Sequence, residues 1–315
     1  MVRLENETGA AGYGEVAPVP GFGGETVDHD EAALRVLGDR CDEAQFADLP
    51  AKFAGLKNAL RAAVVGPYDR LAAVSAQRST SMERAAYLPV AALLPAGRAV
   101  LMKIPPLLEA GFRVFKWKVG VADAADELAW LDELCAVLPE GARLRLDANG
   151  AWDRRRAERW LERCAERPVE FVEQPIAATA RGADDLLLGL AADHPTPLAL
   201  DESLVGDGDI ERWLGAGWPD IFVIKPSLLA DVDGALSRLA AARAAVVFSS
   251  ALETAIGAQA ALRVAFGWRG QPRALGFGVW PLFMDSRFDG PALAPFIRWE
   301  DVERINPEAV WNALS

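Results

Sequence analysis

From about Tyr87 onward, the sequence alternates short apolar runs with amphipathic segments. The apolar runs have the length and β-branched content of buried strands, and the segments between most of them carry apolar residues at helical spacing. Eight strands alternating with helices are typical of a (β/α)8-type barrel with a parallel sheet. The predicted strands are 87–94, 114–120, 144–149, 170–174, 198–202, 221–224, 245–249 and 275–279, and the predicted helices include 125–138, 154–166, 208–214 and 232–243.

The segment before this pattern has too few strands to stand alone. It contains a predicted strand at 2–4, a glycine-rich run over 9–24 and predicted helices at 25–37 and 51–65. Lone glycines without a strand before and a helix after are weak evidence for phosphate binding, so we interpret the run as strands and turns. The tail after Pro281 is rich in proline, which predicts an irregular segment. We therefore predict a smaller α+β capping domain over 1–85, a barrel domain over 86–284, and a tail over 285–315 that packs on the capping domain.

Composition excludes several classes of function. The formal charge of −12 argues against binding nucleic acid or an anionic membrane surface. No apolar stretch is long enough to cross a membrane, and the start lacks the apolar core of a signal peptide. Three widely spaced cysteines do not form a disulfide framework, which predicts a soluble cytoplasmic protein with free thiols. With only two histidines, both in polar surroundings, a metal site would have oxygen ligands, which favours Mg²⁺ over Zn²⁺.

Two lysines mark the second predicted strand, Phe115-Lys116-Trp117-Lys118-Val119. Side chains alternate across a strand, so Lys116 and Lys118 share one face and Trp117 takes the other. The chain has six lysines and 27 arginines, so arginine is its usual cation. Arginine keeps its proton in proteins, whereas lysine can lose it. Two lysines on an inward strand therefore suggest proton chemistry, and a solvated strand end is the alternative.

Polar and charged residues end successive predicted strands, 24 to 29 residues apart, about one βα unit. The carboxyl ends of barrel strands form the rim where such enzymes keep their chemistry. Three neighbouring carboxylates there predict an all-oxygen Mg²⁺ site with open positions for a substrate oxygen, and Mn²⁺ is expected to substitute. The strand-end residues are Lys118, Asp147, Glu173, Asp201, Lys225 and the pair Ser249-Ser250.

A metal site flanked by lysines suits one reaction in particular. Lys118 and Lys225 belong to the strands on either side of the three carboxylate strands, so they are expected on opposite sides of the site. Such a site stabilises an enediolate while a lysine removes the proton α to a carboxylate.

These motifs resemble the enolase superfamily, in its muconate-lactonizing-enzyme-like subgroup, and within it the o-succinylbenzoate synthase family. The resemblance spans nearly the whole chain. It rests on the segment from Gly12 to Thr26 and on Lys-x-Lys, Leu-Asp-Ala-Asn, Glu-Gln-Pro, Asp-Glu-Ser, Ile-Lys-Pro-Ser and Ser-Ser-x-x-Glu-Thr-x-Ile-Gly, in family order. It implies a modified (β/α)7β barrel with a cap.

The resemblance also implies roles for single residues. Asp147, Glu173 and Asp201 would bind Mg²⁺, Lys118 would be the acid/base, and Lys225 would place its cation over the opposite face of the substrate ring. The implied reaction is the syn-dehydration of 2-succinyl-6-hydroxy-2,4-cyclohexadiene-1-carboxylate to 2-succinylbenzoate, in menaquinone or phylloquinone synthesis. Further contacts to the substrate or the metal shell are implied for Lys116, Asn149, Ser249 and Ser250.

Alternatives remain open from the sequence alone. An N-acylamino-acid racemase or dipeptide epimerase on the same scaffold needs a base on each face, and Lys118 and Lys225 could supply both. A barrel that has lost activity and serves as an interaction protein is a third reading, which the intact carboxylates and lysines disfavour. The family pattern starts with a further cap strand and a closing loop, whereas this sequence begins inside the cap sheet. The sequence therefore does not tell whether a loop closes over the substrate. The sequence also leaves the oligomeric state open.

Overall fold

The computed structural model describes residues 1–20, 22, 25–64 and 85–314. Its first part pairs β1 (Val2–Glu5) with β2 (Ala11–Gly14) in an antiparallel hairpin. Helices α1 (Val27–Leu37), α2 (Glu43–Ala47) and α3 (Ala54–Ala63) follow. The predicted strand and both predicted helices are confirmed, although a 3₁₀ turn over Ala51–Phe53 precedes α3. The predicted helix end at residue 65 lies outside the described residues.

A separate apolar core holds this first part together. Val2 of β1, Phe46 of α2, and Leu56 and Leu60 of α3 are all buried within it. Burying side chains of this size contributes about 1.5–3 kcal/mol each. We call residues 1–64 the cap segment.

Seven parallel strands form the main sheet, and their order across the sheet follows their order along the chain. Sequential strands are therefore neighbours throughout, as βαβ units require. Six predicted strands lie within two residues of the observed ones, and so do the four predicted helices. The strands are β4 (Ala92–Leu94), β5 (Val114–Lys118), β6 (Arg143–Asp147), β7 (Val169–Glu173), β8 (Leu198–Leu200), β9 (Ile221–Ile224) and β10 (Ala245–Phe248).

Helices connect these strands and cover the outside of the sheet. Trp117 and Phe222 point outward into the large core between sheet and helices, whereas Phe171 and Val223 belong to a small core inside the barrel. This alternation fixes which residues face the interior at each strand end. The helices are α4 (Val100–Glu109), α5 (Ala124–Val137), α6 (Arg154–Cys164), α7 (Ala183–Asp193), α8 (Asp207–Gly215), α9 (Val232–Ala241) and α10 (Ala255–Gly267).

The first and eighth predicted strands need correction. The run predicted as one strand over 87–94 is two strands, because β3 (Tyr87–Pro89) leaves the barrel and pairs antiparallel with β11 (Phe296–Arg298). The strand predicted over 275–279 is reduced to single bridges at Leu275 and Gly276. The α/β fold class and the (β/α)7β barrel are nevertheless confirmed, with this short segment in the place of the last strand.

The segment Leu275–Gly276 closes the barrel between its two edge strands. Gly276 N–H donates to Phe248 O at 2.8 Å on one side, and Ala91 N–H donates to Leu275 O at 2.9 Å on the other. A Cβ on Gly276 would lie 2.5 Å from Ser249 Oγ, so only glycine allows this approach. We call Leu275–Gly276 the seam.

The tail is more ordered than its proline content suggested. After β11 it forms α11 (Trp299–Glu303) and α12 (Pro307–Asn312), so the prediction of an irregular tail is wrong. Val310 packs on Ile256 of α10 with Tyr13 of the cap segment nearby. The Tyr13 and Trp311 rings lie 6.0 Å apart. The domain boundaries at residues 85 and 284 stay a prediction.

Two further observations bear on the class of protein. In the part of the chain that the structure describes, no helix is long and apolar enough to cross a membrane. Cys41, Cys135 and Cys164 are free thiols.

Candidate active site

The strand register brings the predicted site residues to one rim. Lys118 of β5 lies beside Asp147 of β6, which lies beside Glu173 of β7. Asp201 follows the last residue of β8, and Lys225 follows the last residue of β9. Adjacent strands are about 4.8 Å apart, so these five residues form one row across the carboxyl ends of the sheet. The carboxylates and Lys225 are buried, whereas Lys118 is exposed.

Lys116 lies one step deeper than Lys118 and is neutralised by carboxylates. Its Nζ is 2.8 Å from Asp147 Oδ2 and 2.7 Å from Glu173 Oε1. Burial acts to lower the pKa of Lys116, but the charges of Glu173 and Asp147 outweigh it and raise that pKa above its usual range. Lys116 therefore stays an ammonium ion. Burial and the Asp147 charge together raise the pKa of Glu173, with Lys116 acting against them.

Lys225 has a different environment on the other side of the row. Its ammonium forms an ion pair with Asp201 and lies 4.4 Å from the centre of the Phe22 ring. Only 9% of Lys225 is exposed. Burial lowers the pKa of Lys225 to about 7, although Glu173 acts to raise it. A lysine of this kind can hold or release a proton near neutral pH.

Asn149 meets a carboxylate that the sequence analysis did not select. Its Nδ2 donates to Glu202 Oε1 at 2.9 Å, and its backbone N–H donates to Asp147 Oδ1 at 3.1 Å. Glu202 Oε2 is buried and, among the described residues, has no hydrogen-bond partner. The signal was present in the sequence, since Glu202 is the second residue of the Asp-Glu-Ser motif.

The two predicted substrate-binding serines donate to groups within the protein. Ser249 Oγ donates to Gly276 O at 3.2 Å, and Ser250 Oγ donates to Glu253. Ser227 Oγ donates to the same Glu253 at 2.9 Å. Glu253 is fully buried, and burial raises its pKa. The sequence analysis quoted this glutamate in a motif but gave it no role.

Gln174, also missed, ties two strand ends together under the carboxylates. Its Oε1 accepts from the backbone N–H groups of Asp201 and Ser203, at 3.0 and 3.1 Å. Its Nε2 donates to Ile176 O and Ser203 Oγ, at 2.9 and 2.8 Å. The side chain is fully buried and every polar position is used. Gln174 follows the ligand candidate Glu173 in the Glu-Gln-Pro motif, which was the available signal.

The donor set fits a hard divalent cation. Within the described residues, no three acidic, histidine or cysteine side chains converge around one point, and lysine ammonium groups lie against the carboxylates. Lys116 shows that Asp147 and Glu173 together hold a cation between them. Carboxylate oxygens are the ligands that Mg²⁺ prefers. A proton-transfer site needs such charge together with a base, and Lys118 is the exposed amine beside it.

Comparison with known proteins agrees with this geometry. A family model described as "Enolase C-terminal domain-like" matches residues 103–293. The chain belongs to the enolase superfamily. It is 41% identical over 288 residues to an o-succinylbenzoate synthase of Thermosynechococcus vestitus, covering 88% of this chain and 83% of that one. The resemblance predicted from the motifs is thereby confirmed.

Other superfamily relatives have different activities. A hydrophobic dipeptide epimerase of Roseobacter litoralis is 33% identical over 221 residues, covering 65% of this chain and 61% of that relative.

Among solved structures, the o-succinylbenzoate synthase of Thermosynechococcus elongatus, complexed with Mg in the active site, is similar to this chain. The TM-score is 0.76 at 36% identity, and the match covers 99% of this chain and 90% of that one.

Proposed function

We propose that this chain is a metal-dependent hydro-lyase that converts 2-succinyl-6-hydroxy-2,4-cyclohexadiene-1-carboxylate to 2-succinylbenzoate, in menaquinone or phylloquinone synthesis. The observation that carries the proposal is the row of three buried carboxylates with a lysine at each end. The 41% identity to a synthase over 88% of the chain favours this substrate among those used by the superfamily. Free thiols at all three cysteines support a cytoplasmic location.

Lys118 is the base in this proposal. Its amine ends β5 at the open rim and, among the described residues, has no ion-pair partner, whereas Lys116 has two. A base must reach the proton α to the substrate carboxylate, and an exposed, unpaired amine next to the carboxylate row is free to do so. Lys118 takes that proton and returns it to the hydroxyl on the same face, which leaves as water and yields the aromatic product.

Asp147, Glu173 and Asp201 would hold the metal ion, with Mg²⁺ as the expected ion and Mn²⁺ as a substitute. When bound, the ion supplies positive charge that stabilises the enediolate form of the substrate carboxylate. Lys116 stays charged next to Asp147 and Glu173, so it adds to this positive field and can pair with the substrate carboxylate. Gln174 keeps the ends of β7 and β8 in fixed relation, which orients two of the three ligands.

Lys225 provides the cation on the opposite side of the row. Its burial excludes water, which strengthens its attraction for negative charge on the substrate. We propose that Asn149, Ser249 and Ser250 shape the substrate pocket. Asn149 has a second amide N–H beyond the one that it donates to Glu202, whereas the two serine hydroxyls donate within the protein and line the pocket with their oxygens.

A second candidate function is racemisation or epimerisation of N-acylated amino acids or dipeptides. The observation that favours it is the pKa of Lys225, which burial lowers to about 7. A lysine with that pKa can act as a second base on the other face, as racemisation requires. The dipeptide epimerase relative uses the same fold, but it covers less of the chain than the synthase relative does.

The test compares the two reactions on one preparation. Protein treated with EDTA and then supplied with Mg²⁺ is assayed for 2-succinylbenzoate formation and for racemisation of N-succinyl amino acids. We expect no activity without metal, recovery with Mg²⁺ and with Mn²⁺, and a kcat/KM at least about a hundredfold higher for dehydration, because aromatisation needs only one proton abstraction. Equal or reversed kcat/KM values would move the assignment to the epimerase, and full turnover in EDTA would exclude the metal.

A further inference from the structure

The turn that begins at Lys225 is held by the cap segment. Pro226–Leu228 form one 3₁₀ turn, in which Leu228 N–H donates to Lys225 O at 3.0 Å. Asn58 of α3 donates through its one Nδ2 to Pro226 O at 2.8 Å and to Leu229 O at 2.9 Å. These two bonds span the whole turn, from the residue after Lys225 to the residue that ends it.

The same helix also binds Glu25, which lies close in sequence to a residue that contacts Lys225. Glu25 accepts hydrogen bonds from Gly55 N–H and Leu56 N–H, both at 2.9 Å, at the first turn of α3. This is a favourable place for a carboxylate, because helix N-termini carry partial positive charge. Three residues before Glu25, the Phe22 ring lies 4.4 Å from Lys225 Nζ. The cap segment therefore contacts Lys225 on its ammonium and on its backbone turn.

Gly55 makes this close packing possible. A Cβ there would lie 2.8 Å from Glu25 Oε2 and 3.4 Å from Ser227 O. The glycine thus leaves room for the Glu25 carboxylate against α3, and Ser227 O, in the turn after Lys225, lies at van der Waals distance from the same point. Glu25, the first turn of α3 and the turn after Lys225 are consequently packed together.

Other attachments on the barrel do not reach Lys225. Glu15 accepts from Thr254 N–H and Gly257 N–H at the start of α10. Gln259 of α10 donates through Nε2 to Val302 O at 2.9 Å and Ile305 O at 3.0 Å, which ties the tail to the barrel. Gln259 therefore makes the same pair of amide-to-carbonyl bonds as Asn58 at a place without a catalytic residue.

We infer that Asn58 is a positioning residue for Lys225, which it holds in its catalytic place through the turn that follows it. A lysine side chain has a long, flexible stem, so the position of its ammonium depends on what its backbone and its ammonium contact. Asn58 fixes the backbone side of Lys225, and Phe22 covers the ammonium side. The inference rests on the proposed role of Lys225 in the reaction.

The kinetic test compares Asn58→Leu and Asn58→Asp with Gln259→Leu. Both Asn58 variants keep the side chain's approximate size and lose its N–H donors, so one remains usable if the other does not fold. We expect the Asn58 variants to lower kcat by about ten- to a hundredfold, since small displacements of a catalytic group cost that much, and to change KM less than about threefold. Gln259→Leu is expected to lower the melting temperature to a similar extent and to keep kcat. A loss of kcat that follows melting temperature equally in all three variants would overturn the inference.

A second measurement does not depend on the reaction. With ¹³C-lysine, the ε-methylene signals of only six lysines are present, and Lys225→Met assigns the Lys225 signal. Its place over the Phe22 ring shifts that signal upfield through the ring current. The shift should be lost in Phe22→Leu, reduced in both Asn58 variants and kept in Gln259→Leu. An unchanged Lys225 signal in the Asn58 variants would overturn the inference, whereas a wild-type protein inert toward the cyclohexadiene would overturn only the proposed function.

Discussion

The two ends of the barrel interior use buried charge in opposite ways. On β6, Arg145 and Asp147 lie two residues apart on the same inward face. At the lower end, Arg145 Nε is 2.7 Å from Glu170 Oε2, and Arg273 Nη1 is 2.8 Å from Glu170 Oε1. The Arg145 guanidinium also lies 4.9 Å from the centre of the Phe171 ring. At the upper end, the cations beside Asp147 and Asp201 are lysines.

This difference separates the charges that hold the structure together from the charges that can take part in a reaction. Arginine cannot lose its proton in a protein, so the pair between Arg145 and Glu170 is permanent. Lysine is a compact cation that can move away from a carboxylate or give up its proton. A carboxylate paired with lysine can therefore accept a metal ion in exchange, while a carboxylate paired with arginine stays part of the structure.

Replacing lysine by arginine at the upper end, and arginine by lysine at the lower end, should give the largest difference in activity between two variants. Lys118→Arg keeps the charge and removes the titratable base, so kcat/KM should fall by about 10²–10⁴-fold. Exchange of the substrate's α-proton with D₂O, followed by NMR, should stop. Arg145→Lys is the matched change at the lower end, and there we expect kcat within about twofold of wild type with a loss of stability. Near wild-type exchange by Lys118→Arg would leave Lys225 as the candidate base.

Removing the lower carboxylate should act on stability alone. Glu170→Ala leaves Arg145, of which only 2% of the side chain is exposed, without its partly buried counter-ion. We expect about 3–5 kcal/mol lower free energy of unfolding, measured in urea, and an unchanged kcat for the folded protein. The double variant Arg145→Met/Glu170→Leu replaces the pair with apolar groups and should recover most of this loss. A large drop in kcat for Glu170→Ala would mean that the two ends are not independent.

Gln174 allows a test of whether Mg²⁺ binding at the upper end depends on the hydrogen bonds that hold the strand ends in place. Gln174→Leu leaves the N–H groups of Asp201 and Ser203 without their acceptor. Each buried unsatisfied group costs about 1–3 kcal/mol, and loss of an orienting partner should weaken Mg²⁺ binding about 10–100-fold. Calorimetric titration with Mg²⁺ measures the second effect, and Glu170→Ala serves as the control with lower stability but intact ligands. Equal Mg²⁺ affinities in both variants would refute the orienting role.

The smallest expected effect is in the pH dependence of stability. Burial acts to raise the pKa of Glu170, but Arg145 outweighs it and holds that pKa below its usual value of 4.5. The unfolded chain then takes up the proton first as the pH falls. Stability from this group is present above about pH 4.5 and is lost as the pH falls through the folded-state pKa. Urea midpoints should fall more steeply on acidification for the wild type than for Arg145→Met/Glu170→Leu, and parallel curves would contradict this.

Period-two alternation made the inward face predictable from the sequence. It placed Lys116 and Lys118 inward with Trp117 outward, and the βα spacing brought Asp147 and Glu173 to the same rim. These are local rules that hold wherever the strand is placed. The same patterns cannot show what a side chain contacts across the barrel, and so the pairing of Lys116 with two carboxylates was not foreseen.

The features that the sequence patterns did not predict have the same physical origin. The bond from Ser250 to Glu253 depends on the path of the loop between them, which no period describes. The first strand divides because a distant partner, β11, pairs with Tyr87–Pro89, and the tail is ordered by this pairing and by contacts with α10. Sequence patterns thus predicted which residues meet at the rim, and tertiary contacts decided how these residues bond to one another.

The backbone pairing of the barrel wall at the seam differs from the pairing in the rest of the wall. Elsewhere neighbouring strands share ladders of paired residues, but Leu275 and Gly276 join the two edges through a few backbone hydrogen bonds only. Amide protons on either side of this joint should therefore exchange with deuterium before those of β6 and β7. Gly278 adds a spatial limit, because a Cβ there would lie 2.3 Å from Ala91 O. The joint therefore combines short backbone pairing with little room for a larger side chain.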